Sequence, residues 1–411
     1  MNNTDRPTEK LPLFALFSAN AVSLTGNVMA LLAIPWFVLD TTGSATKTGV
    51  TVFFNLLAVV LAGFFGGALV DRLGYRPMSV IADLLSAVTV ILIPVLHATT
   101  GLEFWQLLAL VFLGGLLDTP GGSARAALLP NVAAKAGWRL ERATGVTAVI
   151  ERGSQLAGAP LAGVLIAVVG PTDLLWINGA TFIFSALAVW LAVSETREKR
   201  EDPARYWAEL SEGLGYLSGD RTLRAIIFTI TVTNLLDAIS FVILPVYARN
   251  IYSDPITLGL MTAALGAGSV IGALTFAAIG HRLPRRATFT WCFLAVSTWY
   301  GVAATFPSLG VMLAGRFIAG LASGPINPII DTVSYERIPP DMRGRVFGVT
   351  QSAAWMAMPL GVLIAGSALD TFGLRPTLLV TGGAYVITIL SLSMNRGLVD
   401  MDKAVPVPSE V

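Results

Sequence analysis

Cysteine, histidine and charged residues are all scarce in this sequence. It contains one cysteine, Cys292, and two histidines, His97 and His281, which argues against a disulfide framework and against Cys- or His-based metal sites. Charged residues make up 13% of the chain, whereas soluble domains contain about 25%. The net charge is +1, so the chain does not have the excess of basic residues that is typical of nucleic-acid-binding proteins. The sequence therefore predicts no metal, no cofactor and no enzymatic activity.

Long hydrophobic runs occupy most of the chain. Hydrophobic residues make up 54% of its 411 residues, and the mean hydropathy is +0.71. Because about 20 apolar residues cross a bilayer, we predict an all-α polytopic membrane protein with twelve transmembrane spans. The predicted spans, numbered 1 to 12, are 11–39, 46–70, 77–98, 104–130, 140–169, 173–194, 223–249, 255–280, 286–306, 309–333, 344–370 and 373–395.

Basic residues are unevenly distributed between alternate loops. If the N-terminus lies inside, the outer loops and span ends hold only Lys47, Arg249 and Arg375, and the inner segments hold most of the rest. The positive-inside rule then predicts a multi-pass protein of the plasma (inner) membrane with both termini in the cytoplasm.

One long hydrophilic segment lies at the middle of the chain, between spans 6 and 7. Within 195–224, apolar residues recur at helical spacing beside acidic ones, which predicts an amphipathic helix on the cytoplasmic surface. A plain tether is the alternative. The predicted domains are an N-terminal six-helix bundle (1–194), this linker (195–222) and a C-terminal six-helix bundle (223–411).

The two halves of the sequence resemble each other. An offset of 210 residues aligns Asn27 with Asp237 in spans 1 and 7. An offset of 203 residues aligns Gly145 with Gly348 at the starts of spans 5 and 11. Repeated halves predict pseudo-symmetric bundles with a binding cavity at their interface, which opens alternately to the two sides of the membrane.

The connection between spans 2 and 3 contains a recognisable motif. Residues 66–77 read GGALVDRLGYRP, which resembles the Gly-x-Leu-x-Asp-Arg-x-Gly-x-Arg signature of the major facilitator superfamily. The predicted conformational residues are Gly67, Asp71, Arg72, Gly74, Arg76 and Asp83, with Arg343 and Arg345 at the start of span 11. The resemblance implies that Asp71 meets the positive N-terminal end of span 11 and locks the cytoplasmic side. An ordinary positive-inside turn is the alternative.

Span 5 contains a second family-like element, formed by Gly158, Pro160 and Gly163. It resembles a weakened Gly-Pro-x-x-Gly-Gly element of superfamily antiporters. Small residues beside a proline would let span 5 pack closely and rock, although packing alone also explains them.

Three further stretches are similar to the macrolide-efflux and enterobactin-exporter branch of proton-coupled drug antiporters. They begin at Thr42, Ser123 and Arg343. This resemblance implies efflux, antiport and multidrug resistance.

Several ionisable residues lie inside the predicted spans, where charges are costly and indicate function by default. The predicted proton-coupling residues are Asp237, Asp118, Glu151, Arg152 and Arg125. Asp237 has no cation nearby in sequence, so it is the better candidate for reversible protonation. Asp118 and Arg152 lie equally far from the connection between spans 4 and 5, which predicts that they pair; a permanent structural cluster is the alternative. Arg316 is predicted to snorkel or to pair structurally.

The family resemblance implies a central cavity lined by spans 1, 4, 7 and 10. The candidate lining residues are Asn20, Asn27, Asn234, Asn327, Gln351 and Trp355. A few amides among apolar residues suit a bulky amphipathic solute better than a sugar. Hydrogen bonding between helices is the alternative role for each of them.

These features predict a secondary exporter of a hydrophobic or amphipathic small molecule, such as a drug, macrolide or siderophore-like compound. It would exchange this substrate for protons by alternating access, as a monomer in the lipid bilayer and without nucleic acid. An uptake carrier or uniporter on the same fold is the first alternative. A non-transporting scaffold or membrane enzyme is the second.

Overall fold

The computed structural model describes residues 9–194, 203–340, 342–394, 398 and 400–402. Within these ranges the chain forms α-helices with short connections, and the predicted all-α polytopic membrane fold is confirmed. The helices are α1 (Leu11–Thr42), α2 (Ala45–Leu73), α3 (Tyr75–Thr99), α4 (Phe104–Lys135), α5 (Leu140–Val169), α6 (Pro171–Ala192), α7 (Pro203–Gly219), α8 (Arg221–Ala238), α9 (Ser240–Tyr247), α10 (Pro255–Ile279), α11 (Arg285–Ala304), α12 (Leu309–Ser323), α13 (Ile326–Arg337), α14 (Arg343–Met356), α15 (Met358–Phe372) and α16 (Leu374–Ser393).

Eleven helical segments among the described residues are long and apolar enough to cross a membrane. The remaining predicted span, 286–306, is helical as α11. It falls short in apolar content because Thr, Ser, Trp and Tyr side chains lie among its aliphatic ones.

Spans 7, 10 and 11 are each divided into two helices, whereas the sequence predicts them as continuous. Span 10 breaks before Pro325, and span 11 breaks two residues before Pro359. Proline has no N–H group and its ring clashes with the preceding turn, which explains both breaks. Span 7 breaks at Ile239, between α8 and α9.

Internal contacts divide the chain into two compact units. The first unit comprises Met1–Thr41 and Phe54–Glu201, and the second comprises Thr42–Phe53 and Asp202–Val411. In the first unit α3 packs against α4 and α6, and in the second α11 packs against α12 and α16. The first turns of α2 therefore group with the second unit, whereas the sequence analysis placed all of span 2 in the N-terminal bundle.

Four glycines bring α10 and α12 into backbone contact within the second unit. Gly268 and Gly272 of α10 lie against the backbone between Phe317 and Leu321 of α12. Gly320 lies against the carbonyl group of Leu265, and Gly324 against the backbone of α10. Glycines four residues apart share one helix face and allow close approach of two helices in a membrane.

Replacing Gly272 with valine is expected to destabilise the protein strongly. The new side chain would overlap the backbone of Leu321, which cannot move as a flexible side chain would. Overpacking of this kind costs about 1–3 kcal/mol or more. Thermal unfolding of the detergent-solubilised protein measures the effect.

Gly301→Val is the matched control, because a Cβ at Gly301 of α11 meets no described atom within 4 Å. We expect this variant to unfold near the temperature of the parent protein. Equal unfolding temperatures for Gly272→Val and Gly301→Val would contradict the close approach of α10 and α12.

Candidate functional site

A buried ion pair joins α3 and α4 in the first unit. Arg125 Nη1 donates to both carboxylate oxygens of Asp83, at 2.7 and 2.8 Å, and the two side chains are 2% and 0% exposed. Arg125 Nε donates to Asn20 Oδ1 at 2.9 Å, and Ser185 Oγ donates to Asp83 Oδ2 at 2.6 Å. A buried charge requires a partner and further hydrogen bonds, and both members of this pair have them.

This network connects residues that the sequence analysis assigned to three different sets. Asp83 was predicted as part of the loop motif, Arg125 as a proton-coupling residue and Asn20 as a cavity residue. The structure shows that they hold α1, α3 and α4 together. Their hydrogen bonds favour a structural role over direct contact with a transported solute.

Asp118 of α4 has a different partner from the predicted one. Asn27 Nδ2 of α1 donates to Asp118 Oδ2 at 2.8 Å, while Oδ1 is buried without a hydrogen-bond partner among the described residues. Glu151 and Arg152 are exposed on α5. The predicted pairing of Asp118 with Arg152 is therefore wrong. Equal distance from a loop predicts depth in the membrane, but not the side of the helix on which a residue lies.

Asp237 lies at the end of α8, beside buried tyrosines of the second unit. The hydroxyl of Tyr385, from α16, is 3.5 Å from Asp237 Oδ2. The hydroxyl of Tyr300, from α11, donates to the carbonyl of Leu236 at 3.1 Å and lies 3.3 Å from Ser240 Oγ. Tyr300 therefore bridges the break between α8 and α9, immediately next to the acid.

Arg316 of α12 is buried near this acid, with only 4% of its surface exposed. Its guanidinium carbon lies 4.6 Å from the centroid of the Trp299 ring, and its Nε donates to the Met261 carbonyl at 3.3 Å. Of the two roles predicted for Arg316, snorkelling to the surface is wrong, because the side chain is buried, and a structural role remains.

The predicted cavity residues fall into two groups. Asn20, Asn27 and Asn234 make hydrogen bonds between helices of one unit, and Asn234 Nδ2 donates to the Ala354 carbonyl at 2.9 Å. The exposed members are Asn327, Gln351 and Trp355. The exposed group stays available to contact a solute, whereas the first group fits the alternative of helix–helix bonding.

The loop motif lies at the connection between α2 and α3. Gly74 has a φ of +87°, a backbone conformation that side chains with a Cβ rarely adopt. Arg76 Nη2 donates to the Trp190 carbonyl of α6 at 2.6 Å, and Arg72 is exposed. Nothing is described beyond the backbone of Gly67, Ala68 and Asp71. The predicted lock made by Asp71 therefore stays a prediction.

Arg343 lies at the start of α14, as the sequence places it. Its Nη2 donates to the Tyr335 carbonyl at 3.1 Å, and its Nε donates to the Ile338 carbonyl at 3.3 Å. Arg343 thus holds the end of α13 against the start of α14. This role accounts for its position without any partner outside the second unit.

The amphipathic helix α7 packs on α13 and α14. Arg345 Nη1 donates to Glu212 Oε2 at 2.6 Å, and the Tyr216 hydroxyl donates to the Arg337 carbonyl at 2.5 Å. Leu217 is buried in an apolar cluster with residues of α8 and α14. The side chains of 203–210 lie outside the described residues. The described part of α7 is thus a docked helix rather than a plain tether.

The small residues of span 5 pack against α1. A Cβ at Gly158 would lie 2.9 Å from Cβ of Val28, so only glycine allows this approach without a shift. Gly163 is buried and Pro160 is half-buried. This geometry agrees with close packing of α5, which is what both interpretations of the element require.

Sequence reasoning missed a carboxylate that caps α2. Asp370, near the end of α15, accepts hydrogen bonds from the backbone of Ala45 at 3.0 Å and of Thr46 at 2.8 Å. The Ser44 hydroxyl also donates to it, at 2.8 Å. The positive end of a helix dipole favours an anion at this place. No local signal connects residues more than 300 positions apart in the chain.

A sequence model of the Major Facilitator Superfamily matches residues 16–253 and 226–403 of the chain. The chain belongs to this superfamily. It is 33% identical over 386 residues to the multidrug efflux pump Tap of Mycolicibacterium fortuitum, covering 92% of this chain and 93% of that protein. It is 21% identical over 402 residues to macrolide efflux protein A of Streptococcus pyogenes, covering 96% and 98%.

Solved structures of superfamily members share the fold. The crystal structure of the nucleoside transporter NupG matches with a TM-score of 0.77 at 12% identity, covering 95% of this chain and 99% of that one. The protein is therefore a multi-pass membrane transporter of the superfamily, which moves a small-molecule substrate and is not an enzyme.

Proposed function

We propose that this protein exports a hydrophobic or amphipathic small molecule, of the drug or macrolide type, in exchange for protons. The observation that carries the proposal is similarity from end to end, at 33% identity, to a protein named as a multidrug efflux pump. Efflux by a second relative, named for macrolides, supports the same direction of transport. The relatives thus favour the exporter over the uptake carrier.

Asp237 is the carboxyl that we assign to proton exchange. Its carboxyl group lies beside buried aromatic side chains, and its hydrogen bond to the Tyr385 hydroxyl is long, at 3.5 Å. A weakly held carboxylate is easier to protonate than one in a tight ion pair.

The remaining parts of the proposal concern placement and mechanism. The protein would lie in the plasma (inner) membrane as a monomer, with both termini in the cytoplasm, as the distribution of basic residues supports. Its halves would be two six-helix bundles joined by the linker, and they would expose the substrate alternately to each side. The exposed Asn327, Gln351 and Trp355 are the side chains proposed to meet the solute.

The purified protein in sealed lipid vesicles tests this proposal. With an acidic lumen, protons leave the vesicles and an amphipathic cationic dye such as ethidium should accumulate inside. The dye's fluorescence and a trapped pH indicator should change together. An ionophore that collapses the proton gradient should abolish the accumulation.

Two outcomes would contradict it. Dye that moves in the same direction as the protons would identify an uptake carrier. Absence of flux for ethidium and for a macrolide, under either direction of the gradient, would identify a non-transporting scaffold. Vesicles without protein provide the background for both measurements.

A further inference from the structure

Arg316 is a buried cation whose position neither the loop motif nor the exposed polar residues explain. A guanidinium that is 4% exposed has lost most of its hydration, which is costly without compensation. Its contacts are the ring of Trp299, at 4.6 Å, and the carbonyl of Met261, at 3.3 Å. Among the described residues it makes no ion pair within hydrogen-bond distance, so its charge remains available to a nearby anion.

A continuous set of aromatic contacts connects Arg316 with Asp237. The Trp299 and Tyr300 rings lie 4.1 Å apart, centroid to centroid. The Tyr300 hydroxyl donates to the carbonyl of Leu236, the residue before Asp237. The Tyr300 and Tyr385 rings lie 6.3 Å apart, and the Tyr385 hydroxyl lies 3.5 Å from Asp237 Oδ2. Helix α11 therefore contacts Arg316 through Trp299 and helix α8, which carries Asp237, through Tyr300.

We propose that Arg316 is the counter-charge of Asp237, and that Trp299 holds it near the carboxylate without a tight ion pair. When Asp237 is ionised, Arg316 balances its charge; when Asp237 is protonated, the face of the Trp299 ring still stabilises the guanidinium, since indole is the best π partner for a cation. Arg316 is then a positioning residue for proton exchange. This inference rests on the proposed role of Asp237.

A double-mutant cycle tests the pairing without reference to transport. The variants are Asp237→Asn, Arg316→Gln and the double variant, each measured by thermal unfolding in detergent. Arg316→Gln leaves the buried Asp237 without its counter-charge, so its unfolding temperature should fall by several degrees, whereas Asp237→Asn should fall by less, because the Trp299 ring still stabilises Arg316. The double variant should recover most of that loss, because neither charge remains.

The control for the cycle is Arg375→Gln, which removes an exposed cation at the start of α16. Combined with Asp237→Asn, it should give additive effects. An Arg316 double variant that is no more stable than its weaker single variant would overturn the pairing. The test remains valid if both single variants fail to fold, because the pairing then predicts that the double variant still folds.

A transport measurement separates positioning from mere stability. Arg316→Gln should lose ethidium accumulation driven by the proton gradient, but should retain exchange of ethidium for ethidium across the vesicle membrane. Arg316→Lys keeps the charge and should keep both activities. A non-additive stability cycle combined with intact proton coupling in Asp237→Asn would preserve the pairing and refute the proposed role of Asp237. Equal losses of driven accumulation and of exchange in Arg316→Gln would refute the positioning role.

Discussion

Replacing Asp237 with asparagine is expected to abolish proton-driven export but to leave substrate binding measurable. Asparagine has nearly the same shape and still meets the Tyr385 hydroxyl, which lies 3.5 Å from the carboxylate, but it cannot gain or lose a proton near neutral pH. We expect ethidium accumulation in acid-loaded vesicles to fall to background. Binding of ethidium to the solubilised variant, followed by its fluorescence, should persist.

The matched control is Glu336→Gln. Glu336 is an acid of the same unit that is 42% exposed and paired with Arg285 on the surface. Such a pair contributes little to stability, and we expect driven accumulation to match the parent protein. Unchanged proton coupling in Asp237→Asn would instead move the role to Asp118, whose Oδ1 is buried without a partner, or to Glu151.

Replacing Arg125 with glutamine causes the largest expected loss of stability. Asp83, which is 0% exposed, would lose both hydrogen bonds from Arg125, and Ser185 is the one side-chain donor to it that would remain among the described residues. Breaking one side of a buried ion pair costs about 3–5 kcal/mol. The measurement is the unfolding temperature in detergent, together with the yield of monodisperse protein.

Ser185→Ala provides the comparison, since it removes one hydrogen bond to Asp83 but keeps the ion pair. A lost hydrogen bond to a charged group costs about 1.5–3 kcal/mol, so this variant should unfold between the parent and Arg125→Gln. An Arg125→Gln protein that is as stable as Ser185→Ala would show that the ion pair contributes no more than a single bond. A stable Arg125→Gln protein without proton coupling would restore the predicted coupling role of Arg125.

Local features of the chain were predictable from the sequence, and contacts between distant helices were not. The helices follow from runs of apolar residues, which depend only on neighbours in the chain, and their ends differ from the predicted ones by a few residues. The loop motif could be recognised for the same reason. The partners of Asp118 and Asp83 depend on the rotation of each helix about its axis, and hydrophobic composition carries little information about rotation when most sides of a helix are apolar.

Two long-range contacts illustrate the same limit. The sequence analysis did not single out Asp370, and only the fold places it at the start of α2. For Arg316 it left snorkelling and structural pairing open, because its stabilising ring, Trp299, comes from a different helix. In both cases the compensating group lies on a different helix.

The glycine contacts between α10 and α12 have a mechanical consequence. Where backbone touches backbone, no lipid chain or water molecule can enter, and neither helix can slide without lifting past the other. We therefore expect α10 and α12 to move together as one rigid body. Bending of this unit is expected elsewhere, for example at the break between α8 and α9.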